Sequence, residues 1–224
     1  MNWYMAAVFG FVGAVLGLLI PQTAEKIVLY KCKKKCIALA EDERFSSLIL
    51  TLPICLLNMF ALAFAGWHMD SLLSEFMLTV LIFVSIVIAI IDLRIQMIPN
   101  ELVLLLIIEG AALRLTVLGP SALLLSALCM VVMMILFCIV AGAIGFGKVG
   151  AGDVKLAGAM GVVLGYPGII NGLMVMSAAF FLYCVIGFCL HRLTMKTMVP
   201  LAPFMMSGMV VSLLLESWNP ILFQ

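Results

Sequence analysis

Long apolar runs separated by short polar segments make up almost the whole chain. Most of the eight runs approach the roughly 20 residues that a helix needs to cross a bilayer. We predict spans at 5–20, 48–65, 76–91, 102–118, 122–140, 154–165, 169–190 and 201–215. The sixth run is short, so a fold with seven spans and a re-entrant segment at this position stays open. The pattern therefore predicts an all-α, polytopic integral membrane protein.

Composition supports this class and excludes others. Of the 224 residues, 66% are apolar and 10% are charged, whereas about 25% are charged in an ordinary soluble domain. A soluble fold of this size could not cover so much apolar surface with polar groups. Disordered chains, nucleic-acid binders and secreted disulfide scaffolds are excluded as well. The predicted organisation is a first transmembrane helix (1–20), a short cytoplasmic loop (21–47) and a membrane-embedded domain (48–224).

The basic residues orient the spans. Eleven of the twelve Lys and Arg residues lie in or beside the segments 21–47, 92–100, 141–153 and 191–199, and Arg114 is the exception. Positive charge accumulates on the cytoplasmic side of membrane proteins, so these segments are predicted to be cytoplasmic and both termini external. The basic residues follow the first apolar run, which predicts a retained span and not a cleaved signal peptide.

Two acidic residues fall at the predicted membrane border. An acid at such a place is costly and is a functional candidate by default. Asp92 follows a long apolar run, and its helix should end before Pro99, which disfavours a helical residue in front of it. Asp153 lies in a glycine-rich segment that opens the sixth run. Taken singly, each acid also fits a structural role: Asp92 as a polar helix end beside Arg94, and Asp153 as an N-cap.

Asp92 and Asp153 are more informative as a pair. They are 61 positions apart, yet the predicted topology puts both at the same cytoplasmic border. Two carboxyl groups brought close together cannot both ionise readily, so one holds a proton while the other acts as a base. Such a pair can activate a water and protonate a leaving amine in peptide hydrolysis. The spacing permits the two groups to meet.

Three motifs resemble a known family. Residues 150–153 read Gly-Ala-Gly-Asp, the GxGD signature of membrane aspartic peptidases, and they continue as Val-Lys-Leu, as in type IV prepilin peptidases. Asp92, followed by Ile98-Pro99-Asn100, is similar to that family's other aspartate segment. Residues 199–204 resemble the Pro-x-x-Pro-Phe run that opens the family's last span. The three motifs occur in the expected order over about residues 76–215.

The resemblance implies an aspartic endopeptidase of the bacterial cytoplasmic membrane. It would remove the short basic leader of type IV prepilins or pseudopilins, on the cytoplasmic side, for a pilus or secretion system. Asp92 and Asp153 would be the catalytic pair, without a cofactor. Gly150 and Gly152 would let the catalytic loop approach its partner helix closely, and Pro99 and Lys155 would support it. For Lys155 two roles stay open, holding the charge of the acid pair or binding lipid phosphate. The expected partners are the prepilin substrate and membrane lipid, with no nucleic acid, and the oligomeric state stays open.

The segment 21–47 departs from the family members that also methylate the new N-terminus. Those carry paired Cys-x-x-Cys motifs that resemble a zinc site, whereas this loop has only Cys32 and Cys36. Two thiolates cannot complete a tetrahedral site. We therefore expect neither zinc nor methyltransferase activity. The acidic residues Glu41, Asp42 and Glu43 lie on the predicted cytoplasmic side and are candidates for binding a basic leader.

Two other functions remain as alternatives. One is an intramembrane peptidase of the presenilin or signal-peptide-peptidase type, but the Tyr before the first Asp and the Pro-Ala-Leu motif of that type are absent. The other is a small transporter or assembly scaffold that relays protons. Only Glu109, inside the fourth run, favours it. The preferred interpretation of Glu109 is structural: it is protonated, or it meets Arg114 or a polar group of another helix.

Overall fold

A computed structural model describes residues 3–35, 48–68, 71–144, 150–190 and 199–218. Within these ranges the chain is helical, with no strand, which confirms the predicted all-α class. The helices are α1 (Trp3–Lys35), α2 (Leu48–His68), α3 (Leu72–Ile95), α4 (Asn100–Leu118), α5 (Pro120–Ile144), α6 (Ala151–Cys189) and α7 (Ala202–Trp218).

Several of these helices suit a bilayer. In the described part of the chain, α1, α2, α3, α5 and α6 are long and apolar enough to cross a membrane, and α7 is a shorter apolar helix. The remaining helix, α4, carries Glu101, Glu109 and Arg114 among apolar residues. The chain is therefore a multi-pass membrane protein.

The first helix is longer than the sequence predicted. It passes through Pro21 and continues to Lys35, so the prediction that residues 21–35 belong to a loop is wrong. The reason is an apolar stripe at four-residue spacing, which places its side chains along one face of a helix. That stripe is buried against the second half of α3, and the facing residues are Ile20, Ala24, Val28 and Cys32 on α1 and Val87, Ile90 and Ile91 on α3.

The long helix α6 is interrupted, as the sequence predicted between its sixth and seventh runs. Gly165, with φ of 52°, and Tyr166 leave the helical conformation. Positive φ is the region that favours glycine, and Pro167 has no N–H to continue the helical ladder. Gly172 packs against the side chains of Met160 and Leu164, which would be about 18 and 12 Å away along a straight helix. The chain therefore turns back on itself at this break.

An ion pair holds the break in place. The guanidinium of Arg114 in α4 donates to the carbonyl oxygens of Val163 (2.9 Å) and Leu164, and it pairs with Glu216 of α7 at 3.0 Å. Val163 is four residues before Pro167, so its carbonyl has lost its helical donor. Arg114, the basic residue that lies away from the others in sequence, thus replaces missing backbone donors. The sequence left a contact between Arg114 and Glu109 open, but the acid that pairs with Arg114 is Glu216.

Close helix packing surrounds α3. Of the fourteen residues from Leu78 to Ile91, ten are buried and four are half-buried, and α3 contacts α1, α2, α4 and α7. On α1, Gly13 and Gly17 allow α2 to approach so closely that an added Cβ would lie 2.8 Å from the Asn58 oxygen and 2.6 Å from the Cys55 Cα. The bundle therefore fixes the position of the end of α3, where Asp92 lies.

Candidate active site

Asp92 lies in the last turn of α3 and its side chain is enclosed, since the residue is only 4% exposed. The helix ends at Ile95, slightly earlier than the sequence indicated, because Gln96 takes the left-handed conformation and donates its N–H to the Asp92 carbonyl at 3.0 Å. The carboxylate of Asp92 points to α7, and Oδ2 accepts the backbone N–H of Ala202 at 3.1 Å.

The donor to Asp92 comes from the start of a helix. Ala202 is the first residue of α7, where backbone N–H groups have no partner within their own helix and the helix dipole favours negative charge. The proline-rich segment 199–204 therefore supplies a preorganised donor to the carboxylate. Sequence reasoning recognised this segment as a motif but did not find its contact with Asp92.

Asp153 lies in the first turn of α6, in a reciprocal contact with Gly150. Its Oδ2 accepts the Gly150 N–H at 3.0 Å, and its own N–H donates to the Gly150 carbonyl at 3.0 Å. Gly150 is thus the residue that caps α6. The structural alternative, in which Asp153 itself is the N-cap, is wrong, because the Asp153 side chain reaches back to the cap from inside the helix.

The fold brings the segments that carry the two acids close to each other. The charge of Asp153 lies within electrostatic range of Asp92, although the two residues belong to different helices. A close approach between their segments makes this possible. A Cβ added at Gly152 would lie 3.2 Å from the Cβ of Ile98, in the segment between α3 and α4. A larger residue at 152 would therefore require the Ile98 side chain or its segment to shift.

Two polar contacts tie the start of α4 to its neighbours. Lys155 of α6 donates to Asn100 Oδ1 at 3.1 Å. Lys31, in the unpredicted extension of α1, binds both carboxylate oxygens of Glu101 at 2.7 Å. Pro99 precedes the helix, and its carbonyl accepts the N–H groups of Leu102 and Val103 at 3.2 Å. Pro99 and Lys155 therefore support the segment that faces Gly152. Lys31 also holds the start of α4, and the sequence did not reveal this role.

The candidate leader-binding residues Glu41, Asp42 and Glu43 lie outside the described residues, as does Cys36. Cys32 is buried in the apolar stripe of α1. In the part of the chain that the structure describes, no three Cys, His, Asp or Glu side chains form a group that could hold a metal ion.

Two buried acids escaped the sequence analysis. Glu216 belongs to the ion pair at the α6 break. Glu75, in the first turn of α3, is fully buried, and its carboxylate oxygens have no hydrogen-bond partner among the described residues. Glu75 is 17 residues before Asp92, about 25 Å along the helix, so it is not part of the candidate site. Glu109 is partly exposed on α4.

Comparison with known proteins assigns the chain to a family. Residues 79–191, about half of the chain, match the model of the type IV leader peptidase family, and this stretch contains both aspartates. Curated proteins and solved structures gave no significant match. The matched region includes the end of α3, the polar start of α4 and the glycine-rich entry to α6. The chain belongs to the type IV leader peptidase family, and it is a membrane peptidase.

Proposed function

We propose that the protein is an aspartic endopeptidase that removes the short basic leader of type IV prepilins or pseudopilins. The observation that carries the proposal is the pairing of Asp92 and Asp153. Both lie at helix ends, each accepts a backbone N–H, and the charge of Asp153 acts on Asp92. The family assignment supports a leader peptide as the substrate class.

The pair suits hydrolysis of a peptide bond. One carboxylate takes a proton from a water, whose oxygen bonds to the scissile carbonyl carbon. The other, protonated, gives its proton to the amine as the C–N bond breaks. Neither acid is assigned permanently to one role, because coupled groups titrate as a pair. The N–H groups of Ala202 and Gly150 fix the two side chains in place.

We further propose that the site faces the cytoplasm of a bacterium. Lys31, Arg94 and Lys155 belong to the same end of the bundle as Asp92 and Asp153, and basic residues favour the cytoplasmic side. In the same proposal both termini are external. A basic leader would meet the acidic residues Glu41, Asp42 and Glu43 on this side. If their joint neutralisation left cleavage of a basic-leader substrate unchanged, leader recognition by these residues would be disproved.

The central experiment compares acid variants on one prepilin substrate in detergent. Asp92→Asn and Asp153→Asn keep the size and hydrogen-bond acceptor of each side chain but cannot exchange the proton. Each is expected to lose about 10²-fold or more in kcat. Glu101→Gln is the matched control, because Glu101 is an acid at the same end of the bundle but is paired with Lys31, and it should retain cleavage.

Unchanged cleavage by either Asn variant would falsify the paired-acid mechanism. Thermal midpoints and elution profiles close to those of the wild type exclude misfolding as the cause of a loss. The mass of the cleaved product tests a second expectation in the same reaction. We propose that no methyl group is added, so a product heavier by one methyl group after incubation with a methyl donor would contradict this part.

A further inference from the structure

An apolar groove lies between α2, α3 and α7. Its volume is about 510 Å³. The floor is a face of α3 that includes Ile86 and Ala89, one wall is α2 with Leu57 and Phe60, and the other wall is α7. Among the described residues that line the groove, Ser207 alone has a polar side chain. The groove is therefore a site for an apolar ligand.

The groove leads towards Asp92 of the candidate catalytic pair. Ala89 on its floor is three residues before Asp92, about 4.5 Å along the axis of α3. Pro203 in its α7 wall directly follows Ala202, whose N–H binds the Asp92 carboxylate. The apolar lining therefore ends about one helical turn from a reacting group. A ligand that fills the groove has one end beside Asp92.

The groove also opens towards the bilayer. Leu57 and Phe60 in its α2 wall are 62% and 65% exposed, and both belong to a helix that is apolar enough to cross the membrane. Along α7 the lining runs from Pro203 to Leu214, about 16 Å or three helical turns. An apolar helix can lay one face into a groove of this kind, with side chains at i, i+3, i+4 and i+7 as anchors.

We propose that the substrate carries an apolar helix next to the bond that is cut, and that this groove binds that helix within the bilayer. The inference rests on the proposed function and extends it, because it says how the enzyme recognises the part of its substrate inside the bilayer. Seating that helix against α3 and α7 places the adjoining peptide bond at Asp92. The groove therefore contributes to affinity and to the choice of the bond.

The first test fills the groove. Ser207→Trp puts a large side chain into it from an exposed position of α7, and Ser177→Trp does the same at an exposed serine of α6 outside it. Each variant receives a long substrate with its apolar segment and a short peptide that contains only the leader and the cleavage site. For Ser207→Trp, the ratio of kcat/KM for the long over the short substrate should fall at least about 10-fold, an effect of about 1.4 kcal/mol. For Ser177→Trp the ratio should equal that of the wild type.

The second test detects contact. A photoreactive p-benzoylphenylalanine replaces Phe60 in the groove or Phe181 of α6, which is 70% exposed outside the groove. Irradiation with the long substrate should give a substrate adduct from position 60 and none from position 181. Adducts at position 60 with lipid or detergent alone, in an enzyme that still cleaves, would show that the groove is only a lipid contact and would overturn the proposal.

The results of these tests distinguish a failure of the proposed peptidase function from a failure of the proposed role of the groove. If the wild type cleaves neither substrate, the proposed function is wrong, and the role of the groove is wrong with it. If the wild type cleaves the long substrate but the two Trp variants have equal substrate ratios, the proposed function stands and the groove proposal is wrong.

Discussion

The buried ion pair between Arg114 and Glu216 can be broken from either side, by Arg114→Met or by Glu216→Leu. Both side chains are almost fully enclosed, and their nitrogen and oxygen atoms are 3.0 Å apart. Each single substitution leaves the opposite charge without its partner inside the bundle. The double variant leaves neither charge in the bundle. Comparing the three variants therefore separates the cost of an unpaired buried charge from the cost of losing the other side-chain contacts.

The contacts of Arg114 and Glu216 determine how much unfolding free energy each variant is expected to lose. Removing one partner of a buried pair costs about 3–5 kcal/mol of unfolding free energy, which is the expectation for Glu216→Leu. Arg114→Met should cost more, because the guanidinium also serves the carbonyl oxygens of Val163 and Leu164, and each unsatisfied carbonyl adds about 1–3 kcal/mol. The double variant should cost about 2–3 kcal/mol less than the sum of the single variants.

The measurement is the free energy of unfolding in lipid–detergent micelles, from a reversible titration with a denaturing detergent. Ser212→Ala is the comparison at the same break, because its hydroxyl donates one neutral hydrogen bond to the Gly168 carbonyl at 2.8 Å. It should cost about 1–3 kcal/mol. Additive costs in the double variant, or single variants no more destabilised than Ser212→Ala, would refute the assignment of a buried, coupled pair.

Two further predictions concern the candidate site and its support. Gly152→Val should lower kcat at least about 10-fold with the fold retained, because its Cβ would press on Ile98 and displaced catalytic groups lose rate steeply. The control is Ala151→Val, at an exposed neighbouring position, which should cleave normally. Equal activities of the two variants would contradict the close approach of Gly152 to Ile98. Val28→Asn should lower the thermal midpoint of unfolding by several degrees, since it buries an unpaired amide in the stripe between α1 and α3. Tyr30→Asn, on the exposed side of α1, should leave the midpoint unchanged. Equal midpoints of the two variants would show that the packing of this part of α1 does not stabilise the fold.

The candidate catalytic residues were predictable because they are polar exceptions in an apolar chain. Asp92 and Asp153 could be recognised as a pair from their motifs and from a topology that puts both at one border. The Ala202 N–H could not be recognised in this way, because a backbone group has no residue-type signal. The contact between Lys31 and Glu101 was missed for another reason: the segment around Lys31 reads as a basic loop when its four-residue apolar stripe is overlooked.

At the α6 break, nearby residues predict the interruption of the helix, but only distant residues decide how it is stabilised. Gly165 and Pro167 predict an interruption from their own backbone preferences, and the structure confirms it. Which side chain replaces the lost donors depends on α4 and α7, which are about 50 residues away on either side. The sequence offered Arg114 as one of several possible partners of Glu109, whereas the fold brings Glu216 to Arg114.

By itself, the sequence determined the membrane class, the all-α fold and the family, since apolar runs, sparse charges and short motifs are local properties that survive without coordinates. Only the tertiary structure decided how far α1 extends, which N–H holds Asp92, and that a groove between α2, α3 and α7 ends beside it. The physical reason is that these features depend on the distances between helices. Those distances are set by the packing of many side chains at once, such as the approach of Gly152 to Ile98, and no local pattern records them.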